Sequence, residues 1–169
     1  MKNASLFSVI AAAALAASCA QDSPARPDPA SAASASTAAR IGDVPDSHGG
    51  RPLSTHMTGA AERPGPADPD GSGDATLTLN HGQGQVCFEL TVHNIVLPAT
   101  GAHIHKAPPT APGPIVVPLV APGANGMSRG CVDANQDLIK DIIQNPEDYY
   151  VNVHNAQFPA GAIRGQLSK

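Results

Sequence analysis

The chain has 169 residues, a formal net charge of −4, two tyrosines, three phenylalanines and no tryptophan. With 10 basic against 14 acidic residues and no basic stripe or stacking aromatics, nucleic-acid binding is excluded as an expected role. The length suits one core rather than several domains.

The N-terminus reads as an export signal. Lys2 supplies a short positive region, and Leu6 to Ala17 is an apolar run too short to span a bilayer as a stable helix. Residues 1–18 are therefore expected to be a signal peptide. Leu15-Ala16-Ala17-Ser18-Cys19 resembles the lipobox of bacterial lipoproteins, with its leucine one place early. That resemblance implies lipid attachment at Cys19, which provides the membrane hold that the short apolar run lacks. Residue 20 is alanine and not aspartate, which by the same resemblance favours the outer membrane, or a periplasm-facing location in the cell envelope. Residues 19–51 are rich in Ala, Ser, Pro and Asp. They have too few large apolar side chains to offset ordering entropy, and read as a disordered, flexible linker.

Residues 52–169 read as the folded domain. Asp74 to Asn80 and Val86 to His93 alternate, with Val86, Phe88, Leu90 and Val92 on one face. His81-Gly82-Gln83-Gly84 joins them as a hairpin loop. Pro114 to Val120 is an apolar strand whose prolines point to an edge or to strand ends. Ser128 to Asp133, Tyr149 to His154 and Ala162 to Leu167 are further short strands. One helix is expected, capped by Asp133 or Asn135, with Leu138, Ile139, Ile142 and Ile143 at helical spacing and Pro146 as its stop. It is expected to cover an open end of the fold.

Of the three cysteines, Cys19 is assigned to the lipid, leaving Cys87 and Cys131 as an even pair in an oxidising compartment. A disulfide is favoured over two free thiols or thiolate metal ligands. It would close a loop of about 44 residues, worth ~4 kcal/mol. Cys87 shares its face with Glu89, Thr91 and His93 and not with the apolar set. The bond is thus expected to tie neighbouring strands rather than to cross the core.

The ordered phrases of this domain resemble the CHRD domain, first described in chordin and found in bacterial secreted proteins. They run from Met57-Thr58-Gly59-Ala60-Ala61-Glu62 and Gly73 to Leu79, through Val86 to Leu90, Ala102-His103-Ile104-His105, Gly113 to Val117 and Gly130-Cys131. They close with Asn145 to His154 and Gly161 to Leu167. Arg63-Pro64-Gly65-Pro66 departs from the family pattern. The resemblance implies an all-β, Greek-key-like β-sandwich of immunoglobulin-like or superoxide-dismutase-like shape with one short helix. It implies an extracellular or envelope location and no established enzymatic activity. The growth-factor sequestration associated with chordin is not carried over.

Three histidines stand out. His103 and His105 are two apart on a strand and share a face, and His154 joins them if its strand is their neighbour. Such a set can bind copper or zinc with a position left open, with His56 as a fourth candidate. It can equally hold loops by hydrogen bonds to Asn152, Arg164 or Gln166. The superoxide-dismutase ligand pattern beyond His-x-His is not recognisable. No nucleophile elbow surrounds Ser128 or Ser168, and nothing pairs Glu89 with Asp133. Arg164 is assigned to an ion pair or backbone contacts rather than to an anion. The domain is expected to be a non-enzymatic binding or structural module on a membrane anchor, its ligand a protein or a metal ion. The alternative is an envelope copper or zinc protein.

Overall fold

The computed structural model of the protein describes residues 49–169. The signal peptide (1–18), Cys19, His48 and nearly all of the linker (19–51) lie outside the described residues. Eight strands form: β1 (Arg51–Thr58), β2 (Ser72–Asn80), β3 (Gln85–His93), β4 (Gly101–Lys106), β5 (Ile115–Leu119), β6 (Met127–Asp133), β7 (Tyr149–His154) and β8 (Ile163–Gln166). One helix, α1 (Gln136–Gln144), lies between β6 and β7.

The strands pair antiparallel in one sheet of order β5-β4-β7-β8-β1-β2-β3-β6. The neighbours β4–β7, β8–β1 and β3–β6 are distant in sequence, which gives the Greek-key-like connections expected. The sheet is nearly closed, so its two halves face each other across one core, as the layers of a sandwich do.

Period-two alternation builds that core. Val86, Phe88, Leu90 and Val92 of β3 are buried together with Leu77 and Leu79 of β2, Ile104 of β4 and Val151 and Val153 of β7. Each such side chain contributes about 1.5–3 kcal/mol relative to exposure. Helix α1 closes the end near the β2–β3 turn. Gln136 Nε2 donates to the Gly82 carbonyl, Ala134 N–H donates to Gly84, and Ile139 and Ile142 enter the core. Asn135 caps it, its Oδ1 accepting from Leu138 N–H at 3.1 Å. Asp141 on the helix accepts from Lys106 Nζ and from the Tyr149 hydroxyl, both at 2.5 Å, tying α1 to β4 and β7. Those two donors lower the Asp141 pKa to about 2.

Cys87 and Cys131 stand directly opposite each other on β3 and β6 and are joined by a disulfide. The bond ties neighbouring strands, as the face assignment requires.

The outward face of β4, β7 and β8 departs from simple alternation. His105, Tyr150, Asn152 and Arg164 point away from the core yet are buried. Two loops cover them. The loop after β4 folds back where Lys106 N–H donates to Pro114 O, and the β1–β2 connection is pinned where Asp68 N–H donates to Ala162 O. The result is a second, polar interior on the far side of the sheet.

Candidate metal centre

Strands β4 and β7 are neighbours, and their register sets the site. Gly101 faces His154, His103 faces Asn152, and His105 faces Tyr150. The condition for His154 to join the pair is therefore met. One ring nitrogen from each of His103, His105 and His154 lies within 4.8 Å of the others. The ring centroids are 5.0 Å apart for His103–His154 and 5.6 Å for His103–His105. Gly101 makes the room: a Cβ there would stand about 3.0 Å from His103 Cε1 and 3.5 Å from His154 Cδ2.

Two of the rings have their tautomer set by the backbone. His105 Nδ1 lies 2.8 Å from the Gly113 carbonyl oxygen, and His154 Nδ1 lies 3.0 Å from that of Pro159. A carbonyl only accepts, so each Nδ1 carries the proton and donates, and neutral His105 is left with its lone pair on Nε2. This is the arrangement that metal-binding imidazoles use, with the second nitrogen held by a carbonyl. His103 Nδ1 is buried without a hydrogen-bond partner, and His105 Nε2 is buried with the Asn152 side chain as its polar neighbour. His154 Nε2 lies 3.1 Å from Asn152 Oδ1. Two lone pairs cannot favourably face each other, so this contact needs a hydrogen either on Nε2 or from a turned amide, and a metal ion at Nε2 would replace it.

The surroundings disfavour protonation of His103 and His105 and hold the His105 ring in place. Burial, followed by the neighbouring charges of His154 and His105, lowers the His103 pKa to about 4. Burial likewise lowers that of His105. The His105 ring stacks on Tyr150 at 4.7 Å between centroids, and the Arg164 guanidinium lies 3.4 Å from the Tyr150 ring centre. Arg164 donates to the Ala111 and Pro108 carbonyls and to Gln166 Oε1, so backbone contacts hold it. Nearby, Glu62 is buried, with Oε1 accepting from Arg63 N–H at 2.9 Å and the Asn152 side chain beside its carboxyl group.

The other candidates are placed elsewhere. His56 is exposed on β1, its Nδ1 2.9 Å from Asp74 Oδ1, and does not belong to the histidine group. His81 and His93 are exposed. The disulfide takes Cys87 and Cys131 out of thiolate ligation. Glu89 faces Arg129 and Asp133 faces Gln85, so the two carboxylates are not paired. Ser128 Oγ donates to Val120 O, and Ser168 Oγ to Ser54 O.

Stacking by Tyr150, the burial of Glu62 and the carbonyls of Gly113 and Pro159 go beyond what the residue pattern announces. The strand period does place Tyr150 and Asn152 on the face of His154. Loop carbonyls leave no trace in side-chain chemistry.

Three imidazoles with inward lone pairs fit a borderline metal ion such as Zn(II) or Cu(II), with further positions left for water or a ligand. No curated protein and no solved structure matches the chain. The family model of the CHRD domain matches residues 53–167, about two thirds of the sequence and almost all of the described fold. The chain belongs to the CHRD domain family.

Proposed function

We propose that this CHRD domain is a metal-binding module of the cell envelope, tethered by a lipid on Cys19 and taking one copper or zinc ion between His103, His105 and His154. The observation that carries this reading is the convergence of three ring nitrogens within 4.8 Å of one another, with His103 Nδ1 buried among them and without a hydrogen-bond partner. A buried donor or acceptor without a partner costs about 1–3 kcal/mol, so native folds retain one chiefly where something binds it. A purely loop-holding role accounts for the bonds to Gly113 and Pro159 but leaves His103 Nδ1 unexplained.

The ring nitrogens supply the ligands, and the carbonyls orient two of the rings. The role proposed is binding. Metal analysis of protein purified without a histidine tag, followed by titration with Cu(II) and Zn(II), tests it. One equivalent bound, and lost in the His103→Ala/His105→Ala variant, is the expected result. Absence of stoichiometric binding, or binding unchanged in the variant, would refute it.

A further inference from the structure

A second constellation lies on the same outward face, next to the strand that carries His154. A cavity of about 150 Å³ is lined by Ala61, Arg63, Pro109, Arg164 and Gln166. Two guanidinium groups share its wall. Arg164 is 1% exposed, while Arg63 and Pro109 are exposed and place the mouth at the surface.

Both cations are anchored by neutral acceptors. Arg164 NH1 donates to Ala111 O at 2.9 Å, and NH2 donates to Pro108 O at 2.9 Å and Gln166 Oε1 at 3.3 Å. Arg63 NH1 donates to Glu62 O at 2.6 Å and Ala60 O at 3.0 Å. Among the described residues, neither arginine forms an ion pair with a carboxylate. Tyr150 and then Glu62 are the acidic groups that act on Arg164, but the Glu62 carboxylate accepts from the Arg63 backbone N–H and bonds neither guanidinium. A buried cation without a paired anion is costly. Guanidinium forks also match planar or tetrahedral oxyanions better than any other side chain does.

We propose that this cavity is an anion subsite, taking a small oxyanion (a carboxylate or a phosphate group) between Arg63 and Arg164. The carbonyl contacts of Arg164 hold its guanidinium in place, and the anion supplies the charge that they do not. The site is separate from the three imidazoles and requires no metal.

The test uses dialysed, metal-free protein at constant ionic strength, titrated separately with sodium phosphate and sodium acetate and followed by amide NMR shifts. The expected result is saturating shifts centred on Ala61, Arg63, Arg164 and Gln166 with at least one anion. The anion that saturates at lower concentration identifies phosphate or carboxylate as the better-fitting group. Arg63→Ala, at an exposed position, is expected to weaken binding by about tenfold or more. Arg63→Lys keeps the charge without the fork, and is expected to fall between the two. It also serves as the test should the alanine variant fold poorly. Shifts that rise without saturating for both anions, or saturation at the same concentration in the Arg63 variants, would overturn the assignment.

Discussion

At the scale of single residues, the histidine site rests on one-sided hydrogen bonding. His105 and His154 each spend Nδ1 on a backbone carbonyl, which leaves Nε2 as the nitrogen that can face a metal ion. His103 has no such partner on Nδ1 and lies where protonation is disfavoured. The sequence makes the shared face of His103 and His105 legible because strand period is local. The membership of His154 depends on β4 pairing with β7, which no local pattern contains. The outlying position of His56 has the same origin, since its strand pairs with β2 and β8 and not with β4. A pH dependence follows from His103. Its folded pKa of about 4 lies below the ordinary 6.5, so between those values the unfolded chain binds the proton more readily. Stability of the metal-free protein should then fall as pH is lowered from 6.5 toward 4. His103→Gln should reduce that slope in denaturant unfolding measured at several pH values. An unchanged slope would show that His103 titrates normally in the fold.

Strands and connections show where pattern reading succeeds and where it stops. Strand β3 is legible because Val86, Phe88, Leu90 and Val92 alternate without a break. The helix is legible because Asn135, the apolar spacing and Pro146 agree. Strand β1 is harder to read, since only Leu53 and Met57 in its span are large apolar residues buried in the core. Long-range pairing with β2 and β8 makes it a strand. Gly165 illustrates this on the other side: a Cβ there would collide with the His56 carbonyl of β1, so glycine permits the approach. The polar interior over β4, β7 and β8 is hidden for a related reason. Alternation predicts that His105, Tyr150, Asn152 and Arg164 point away from the core, but only the loops decide that this face is covered. The β3–β6 pair carries its own prediction. The disulfide closes a separation of 44 residues, so Cys87→Ser/Cys131→Ser should lose about 4 kcal/mol of unfolding free energy. Equal denaturant midpoints for the two proteins would remove the bond from any account of stability.

For the whole molecule, the family match and the described domain coincide, and the proposed membrane tether lies N-terminal to both. Among the described residues no helix is long and apolar enough to cross a membrane. On the proposed reading, the lipid on Cys19 provides the attachment. Cys19→Ala should therefore move the protein from the membrane to the soluble fraction after cell lysis. Retention in the membrane fraction would show that something else anchors it. A domain held in this way keeps a bound ion or anion at the envelope surface without needing catalytic machinery. The central claim is the ligand set, and nitrogen-resolved NMR of the histidine rings addresses it most directly. On adding one equivalent of Zn(II) to the metal-free protein, His103 Nδ1, His105 Nε2 and His154 Nε2 should move together. The Nδ1 atoms of His105 and His154 should stay protonated on the carbonyls of Gly113 and Pro159. Ring signals that do not respond to the metal, or a response confined to exposed His56, His81 and His93, would contradict the account.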